Sequence, residues 1–277
     1  MLKIELPFVI LLAATLNAGA GEPTKRDDWV EPMRQVHAKF TGAKGTFAQF
    51  GDSITVSLAF WAPMAWEIKN MDAATANAQK LVKAYQKPAC WRDWKGPEFG
   101  CEGRMTIRWA HENVDKWLKR LNPEVAIIMF GSNDINQMDA REYEEKYRAV
   151  VQRCLANGTI VIMTTLPPAG GKLEKCRVFA DVNRKLAAEF KLPLVDYFSE
   201  ILKRRPDDWD GTLPQFKAAP GDVYQVPTLI SRDGVHPSNQ NKYNNDFSDE
   251  SLRNNGFGLR NYLSLHAYAE VIAKALK

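Results

Sequence analysis

The chain has 277 residues, of which 45% are hydrophobic and 25% are charged, a composition typical of a globular protein that buries one large core. Its formal net charge is only +4, and the lysine and arginine residues are scattered among aspartate and glutamate. This balance provides no basic surface along which nucleic acid would bind, so we exclude nucleic acid as a partner.

The first 20 residues have the pattern of an export signal. Lys3 precedes an apolar stretch over residues 6–16, and Ala18-Gly19-Ala20 supplies the small residues of a cleavage site. The apolar stretch is short of the roughly 20 residues that a membrane-spanning helix needs. We therefore predict that residues 1–20 are a cleaved signal peptide. The mature protein is then secreted or periplasmic and has no membrane span.

After a polar lead-in over residues 22–44, the first predicted strand covers residues 46–50 and ends in Gly51-Asp52-Ser53-Ile54-Thr55. A serine thus lies where a strand passes into a helix. Serine is a weak nucleophile unless other groups supply a base, a residue that orients this base, and donors for an oxyanion. Ser53 is therefore a candidate nucleophile that requires partners elsewhere in the chain.

Residues 57–85 have a helical pattern, and residues 86–100 are rich in tryptophan, proline and charge. Trp61, Trp66, Trp91 and Trp94 all lie in this part of the chain. Aromatic rings beside a reactive serine can stack on a sugar or line an acyl slot, because they offer large flat apolar faces. The alternative for each ring is packing in the core or anchoring a loop, and the sequence leaves both open.

The four cysteines bear on folding because export leads to an oxidising compartment. Cys90 and Cys101 flank a turn-rich segment, and we predict a disulfide between them. Cys154 and Cys176 lie on the apolar faces of predicted helices, where two buried thiols and a second disulfide fit equally well. The chain contains no Cys-x-x-Cys, which argues against a zinc or redox motif.

Two further motifs lie at the ends of predicted elements and carry groups that can donate hydrogen bonds. Gly103 comes at the head of a helix that extends to about residue 121, where its backbone N–H is free to meet negative charge. Residues 125–130 form a continuously apolar strand that ends in Gly131-Ser132-Asn133-Asp134. The side-chain amide of Asn133 is a second possible donor.

The remaining pattern alternates helix and strand: a helix over 139–156, a strand over 160–166, a helix over 173–190, a strand over 192–195 and a last helix over 261–275. Such alternation predicts an α/β fold with a mostly parallel sheet. We predict one domain over residues 21–277, with a Trp-rich insertion at about 57–100 and a long loop at about 203–230. In such sheets ligands bind beyond the carboxyl ends of the strands, where both Ser53 and Asn133 fall.

Asp233-Gly234-Val235-His236 follows the long loop and places an acid three residues before an imidazole. His236 can act as the base for Ser53, and Asp233 can orient it. The other histidines, His37, His111 and His266, are predicted to pack or to lie at the surface.

In combination these motifs resemble the SGNH, or GDSL-type, hydrolase family. The resemblance rests on Gly51-Asp52-Ser53, Gly103, Gly131-Ser132-Asn133-Asp134 and Asp233-x-x-His236, in the family's order. Thr106 favours Gly103 over Gly100 as the second motif, but Glu98 replaces the asparagine that often precedes its glycines.

The resemblance implies a flavodoxin-like three-layer α/β/α sandwich with a five-stranded sheet. It also implies a Ser53-His236-Asp233 triad and an oxyanion hole formed by Ser53, Gly103 and Asn133.

Function follows as an expectation from these roles. An α/β-hydrolase fold fits less well, because Ser53 lacks the second glycine of Gly-x-Ser-x-Gly. We expect an esterase that removes acyl groups, above all acetyl, from carbohydrate without a cofactor or metal.

Asp246, Asp249 and Glu250 are interpreted as a solvated acidic loop rather than a calcium site. The alternatives are a lipase, lysophospholipase or thioesterase, or a catalytically silent glycan-binding module. The sequence gives no oligomeric state.

Overall fold

The computed structural model describes residues 27–276, so the predicted signal peptide lies outside the described residues. The strands are β1 (Phe47–Gly51), β2 (Val125–Met129), β3 (Ile160–Thr164) and β4 (Leu194–Val195). The helices are α1 (Val30–His37), α2 (Ser53–Val56), α3 (Ala73–Tyr85), α4 (Ala89–Arg92), α5 (Ile107–Leu121), α6 (Ala140–Ala156), α7 (Leu173–Phe190), α8 (Tyr197–Arg204), α9 (Asp249–Asn254) and α10 (Gly256–Lys274). Within residues 27–276 no helix is both long enough and apolar enough to cross a bilayer.

The strands form one parallel sheet in the order β1-β2-β3-β4. The register aligns Gly51 with Met129 across β1 and β2, and Thr164 with Val195 across β3 and β4. Every residue of β1, β2 and β3 is buried, as expected when both faces of a parallel sheet are covered. The predicted α/β fold with a parallel sheet is confirmed.

Helices cover the two faces of this sheet. Phe47 in β1 stacks on Tyr268 of α10 with ring centroids 4.3 Å apart, whereas Phe50 contacts Trp117 of α5 at 5.2 Å. Side chains alternate along a strand, so these two phenylalanines point to opposite faces. Helices α6 and α7 continue the layer of α5, and α3 packs beside α10. The three-layer α/β/α sandwich is therefore confirmed.

The predicted number of five strands is wrong, because the described residues form a sheet of four. At the free edge of β1, one isolated parallel bridge joins Gly51 to Cys101. Gly96, Pro97 and Gly100 lie just before Cys101, and the two glycines have φ angles of 103° and 91°. Glycine and proline interrupt strand pairing. The segment beside β1 therefore supplies one bridge where a fifth strand would otherwise lie.

The predicted disulfide between Cys90 and Cys101 is also wrong, because all four cysteines are buried free thiols. The Sγ atom of Cys90 accepts a hydrogen bond from the backbone N–H of Phe47, at the start of β1. Cys101 pairs with Gly51, at the end of the same strand. The four residue-to-residue steps from Phe47 to Gly51 span about 13 Å. The two cysteines lie beside the two ends of this span, and a disulfide closes only when the Cα atoms are within roughly 7 Å. Cys154 and Cys176 are buried thiols, which was one of the two alternatives for this pair.

Helix boundaries differ from the predicted ones where turn residues interrupt the pattern. In the predicted helix over 57–85, the chain turns through Pro63, and α3 begins only after the capping residue Asp72. Helix α10 begins at Gly256 rather than 261, because the side chain of Asn255 caps an earlier start. Helices α8 and α9 have no counterpart among the predicted elements.

A long segment, residues 205–248, connects α8 and α9 with only short 3₁₀ turns and no β-strand or α-helix. It overlaps the predicted loop at about 203–230. The guanidinium of Arg232 donates hydrogen bonds to the backbone carbonyls of Ala219, Gly221 and Asp222. These bonds fold the segment back toward the residues that follow it, which include Asp233 and His236.

Candidate active site

Ser53 begins α2 at the carboxyl end of β1. Asp52 caps the helix, since its Oδ1 accepts a hydrogen bond from the backbone N–H of Ile54 at 3.0 Å. A Cβ atom on Gly51 would lie 2.6 Å from the carbonyl oxygen of Met129 and 2.2 Å from Oγ1 of Thr55, so this tight turn requires glycine. The turn presents Ser53, partly exposed, at the edge of the sheet where parallel sheets bind ligands.

The structure brings Ser53, His236 and Asp233 into one hydrogen-bonded line. The Oγ of Ser53 is 2.9 Å from Nε2 of His236, and Nδ1 of His236 is 2.7 Å from Oδ2 of Asp233. An ionised carboxylate only accepts hydrogen bonds, so Nδ1 carries the proton and Nε2 accepts from the hydroxyl. In this geometry a hydroxyl can pass its proton to the imidazole while it attacks a carbonyl carbon.

The carboxylate of Asp233 is fixed by its own loop. Its Oδ1 accepts hydrogen bonds from the hydroxyl of Ser231 at 2.7 Å and from the backbone N–H groups of Val235 and His236 at 2.8 and 2.9 Å. Burial alone would raise the pKa of Asp233, but the hydrogen bonds from His236, Ser231 and the backbone hold this pKa well below its usual range. The same contact with Asp233 raises the pKa of His236. The pair therefore stabilises a charged imidazole.

Residues 100–103 lie along the free edge of β1, beside Ser53. The N–H of Gly51 donates to the carbonyl of Gly100 at 3.0 Å, and the N–H of Glu102 donates to the carbonyl of Gly51 at 3.2 Å. The backbone N–H of Gly103 donates to Oε1 of Glu102 at 2.7 Å. The second motif is thus next to the serine, but the Glu102 carboxylate has to rotate away before this N–H can meet an oxyanion.

Asn133 follows β2 on the other side of β1. One hydrogen of its side-chain amide is donated to the carbonyl of Met105 at 3.0 Å, which leaves the second hydrogen without a partner among the described residues. The neighbouring Asp134 accepts a hydrogen bond from the N–H of Ile107 at 2.7 Å, at the start of α5. The loops that carry Gly103 and Asn133 are therefore tied together and flank Ser53.

A comparison of the sequence with known protein families gives one match. Residues 50–240, which are 191 of the 277 residues, match the GDSL-like lipase/acylhydrolase family. The chain belongs to this family. The match confirms the resemblance drawn from the four motifs, all of which lie within it, and makes the chain a carboxylic ester hydrolase. Among curated protein sequences no relative matches.

Three solved structures illustrate the similarity. A lipase/acylhydrolase from Enterococcus faecalis is 14% identical, with a TM-score of 0.48 over 80% of this chain and 94% of that one. A GDSL-like lipase from Bacteroides thetaiotaomicron is 14% identical, with a TM-score of 0.49 over 88% and 99%. An acetyl-xylooligosaccharide esterase variant from Geobacillus is 16% identical, with a TM-score of 0.47 over 84% and 95%.

Two basic side chains that the sequence pattern did not single out, the buried Arg260 and the partly buried Lys95, hold α2 of this GDSL-like hydrolase in place. Arg260 of α10 donates hydrogen bonds to the carbonyl of Ile54 at 2.8 Å and to Oγ1 of Thr55 at 3.0 Å. Lys95 donates to three backbone carbonyls between residues 55 and 60. Both contact the carboxyl-terminal end of the helix, where the helix dipole favours positive charge. An arginine within the apolar sequence of α10 could have indicated a buried charge with a specific partner. Lys95 has several charged neighbours in sequence, and nothing in the sequence distinguishes it from them.

Two buried carboxyl groups lie close to the nucleophile. Burial raises the pKa of Asp52 to about 6 and that of Asp134 to about 7. In each, Oδ2 has no hydrogen-bond partner within residues 27–276. The charge around Ser53 therefore changes between mildly acidic and neutral pH.

The long loop contributes Tyr224, whose ring meets the ring of His236 edge to face with centroids 6.0 Å apart. Its side chain is exposed. Tyr224 therefore forms one wall beside the imidazole, a role that the sequence of this irregular loop did not reveal.

The four tryptophans of segment 57–100 differ in environment. Trp61 is fully buried and stacks on Trp91, and Trp94 stacks on Phe99. Trp66 is 51% exposed. Packing therefore accounts for three of these rings, and Trp66 alone among the four presents much of its surface to solvent.

The remaining histidines pair away from Ser53. The Nε2 of His37 lies 2.8 Å from the buried carboxylate of Glu124, and that of His266 lies 3.0 Å from the hydroxyl of Thr75. The Nε2 of His111 is 3.2 Å from the guanidinium of Arg153. In the described part of the chain, no group of three or more histidine, cysteine or acidic side chains is arranged to hold a metal ion.

Proposed function

We propose that this hydrolase is a serine esterase in which Ser53, His236 and Asp233 form the catalytic triad. The observation that carries the proposal is the line from hydroxyl to imidazole to carboxylate, with distances of 2.9 and 2.7 Å. Arg260 supports it by fixing the helix that carries the serine.

His236 takes the proton of Ser53 as the hydroxyl oxygen attacks the ester carbonyl. The alcohol leaves with this proton, and an acyl-serine remains. Asp233 keeps Nδ1 protonated and stabilises the imidazolium. Water then attacks the acyl-serine with His236 as base, and the acid is released.

The proposed donors to the oxyanion are the backbone N–H groups of Ser53 and Gly103 and the amide of Asn133. The unpaired amide hydrogen of Asn133 supports this role. The N–H of Gly103 is held by Glu102, so we expect the Glu102 side chain to rotate when the ester binds.

We expect kcat/KM to fall as the pH is lowered through the pKa of His236, which lies above 6.5. His236 is a base only while it is neutral, and Asp233 raises its pKa above the 6.5 of an unperturbed imidazole. Below that raised pKa, kcat/KM falls by about tenfold per pH unit because the neutral fraction falls by that factor. Initial rates on p-nitrophenyl acetate from about pH 4 to 9 measure this decrease in kcat/KM. A profile that stays level down to about pH 5 would show that His236 is not the base.

The proposed substrates are short acyl esters, above all acetyl esters, on carbohydrate. The exposed ring of Trp66 supports this choice, because a flat aromatic face suits a sugar ring. The large exposed apolar side chains among the described residues are Leu58, Trp66, Val178, Leu194, Val223 and Tyr224, and only Leu58 and Trp66 among them line a common cavity. A long acyl chain would require a contiguous apolar surface. With the predicted signal at residues 1–20, the activity belongs outside the cytoplasm.

A substrate panel tests this assignment. We expect the protein spanning residues 21–277 to hydrolyse p-nitrophenyl acetate at least about tenfold more efficiently than p-nitrophenyl laurate, and to release acetate from acetylated xylan. The measurement is kcat/KM for the two nitrophenyl esters and acetate release for the polysaccharide. A preference for laurate without acetate release would instead indicate a lipase or thioesterase.

A further inference from the structure

A cavity of about 280 Å3 is lined by chain segments that follow the candidate nucleophile and the candidate base in sequence. Leu58 and Ala59, which follow the helix of Ser53, line one side, and Asn239, three residues after His236, lines the other. The segments that carry the nucleophile and the base therefore continue directly into the walls of this cavity. Its volume is at the lower end of the range for small-molecule pockets.

Trp66 lines the same cavity and is held firmly despite its exposure. Its backbone N–H donates to the carbonyl of Pro63 at 3.1 Å, and the side-chain amide of the buried Gln79 donates to its carbonyl at 2.9 Å. A large apolar ring that is half exposed on a fixed backbone loses little conformational freedom when a ligand covers it.

Five asparagines line the cavity: Asn239, Asn244, Asn245, Asn255 and Asn261. The side chain of Asn255 caps α10 and that of Asn261 bonds Ala59 and Trp61, so the amides of Asn239, Asn244 and Asn245 are the ones that can meet a ligand. Each amide both donates and accepts hydrogen bonds, which matches the hydroxyl groups of a sugar. Asp246 is the one charged residue among those that line the cavity, and its carboxylate already accepts from Asn70 and from the N–H of Ser248. The lining therefore suits a neutral polyhydroxyl ligand better than an ion.

Hydrogen bonds join the two walls of the cavity. The N–H of Lys69 donates to the carbonyl of Asn245 at 2.8 Å, and the N–H of Phe247 donates to the carbonyl of Lys69 at 3.0 Å. The side chain of Asn261 donates to the carbonyl of Ala59 at 2.9 Å and accepts from the N–H of Trp61 at 2.8 Å. These hydrogen bonds hold the two walls of the cavity in a fixed arrangement.

We propose that this cavity, the Trp66 groove, is a glycan-binding subsite that holds a neutral pyranose unit next to the unit whose ester is cleaved. The sugar stacks on the Trp66 ring, and its hydroxyl groups bond the asparagine amides. The inference rests on the proposed function, because it places the scissile ester at Ser53.

The direct test measures binding without turnover. Xylohexaose, cellohexaose and chitohexaose, none of which carries an ester to be cleaved at Ser53, are titrated by calorimetry into the Ser53→Ala protein. We expect saturable binding of at least one of them, weakened by about tenfold or more when Trp66→Ala is added. Val178→Ala is the matched control, since Val178 is also 51% exposed but lies on α7, on the other face of the sheet.

The kinetic test compares two acetyl esters. With otherwise unaltered protein, Trp66→Ala is expected to lower kcat/KM for acetylated xylo-oligosaccharides by about tenfold more than kcat/KM for p-nitrophenyl acetate, which has no sugar to place in the groove. Val178→Ala is expected to leave this ratio unchanged.

Absence of saturable binding of all three hexaoses, or equal binding with and without Trp66, would overturn the groove proposal. Such a result leaves the triad untouched if p-nitrophenyl acetate is still hydrolysed through Ser53. Failure to hydrolyse any ester, with oligosaccharide binding that depends on Trp66, would instead overturn the proposed function and retain the groove.

Discussion

Replacing Ser53 with alanine is expected to lower kcat for p-nitrophenyl acetate by about a millionfold, the loss that follows removal of a nucleophile from a comparable triad. The change removes the oxygen that attacks the carbonyl. It leaves the turn intact, because the Ser53 hydroxyl bonds only His236 among the described residues, and the Asp52 cap and the Arg260 contacts do not involve it. Steady-state kinetics on the purified variant provide the measurement.

Ser57→Ala is the matched control for this variant. Ser57 lies at the other end of α2, where its hydroxyl accepts a hydrogen bond from the N–H of Ala59 and has no other partner within residues 27–276. We expect the control to keep activity within about threefold, in line with loss of one neutral hydrogen bond. Circular dichroism should show both variants folded. A folded Ser53→Ala protein that retains more than about a hundredth of the wild-type turnover is incompatible with the mechanism.

Replacing Asn133 with alanine is expected to lower kcat by about a hundred- to a thousandfold, the usual effect of losing one oxyanion donor. The amide hydrogen that remains after the bond to Met105 is the one that would stabilise the developing negative charge. KM should change much less than kcat, because the charge develops only in the transition state.

Asn136→Ala serves as the comparison, since Asn136 lies in the same loop but is exposed and contacts Lys172. Its kcat should stay within about threefold of wild type. If Asn133→Ala changes kcat no more than this control does, Asn133 is not a donor to the oxyanion.

The parts of the fold and site that the sequence predicted are those with strong local patterns. The continuous apolar runs that became β1, β2 and β3 indicated buried parallel strands. Parallel strands bring their carboxyl ends to one edge, so the sequence alone predicts that Ser53 and Asn133 lie near each other. The contact between Ser53 and His236 joins residues 183 positions apart. The Asp233-x-x-His236 motif made His236 a candidate base, and the family resemblance implied its pairing with Ser53.

The rest depends on contacts that no local pattern encodes. A fifth strand was expected, but Gly96, Pro97 and Gly100 reduce it to one bridge. The spacing of Cys90 and Cys101 suggested a disulfide, but they lie beside opposite ends of β1.

The support of α2 by Arg260 and Lys95 was also missed. Arg260 reaches this helix from 205 residues further along the chain, and Lys95 comes from a segment without regular periodicity. Likewise, only the three-dimensional packing distinguishes the exposed Trp66 from the three tryptophans that pack.

Covalent labelling tests most directly whether Ser53 is the activated nucleophile. The purified protein is treated with a fluorophosphonate, digested, and analysed by mass spectrometry to locate the adduct. We predict one adduct per chain, on Ser53, with no labelling of the Ser53→Ala or His236→Ala variants. A folded protein that hydrolyses p-nitrophenyl acetate but carries the adduct on another residue, or carries none, would contradict the assignment.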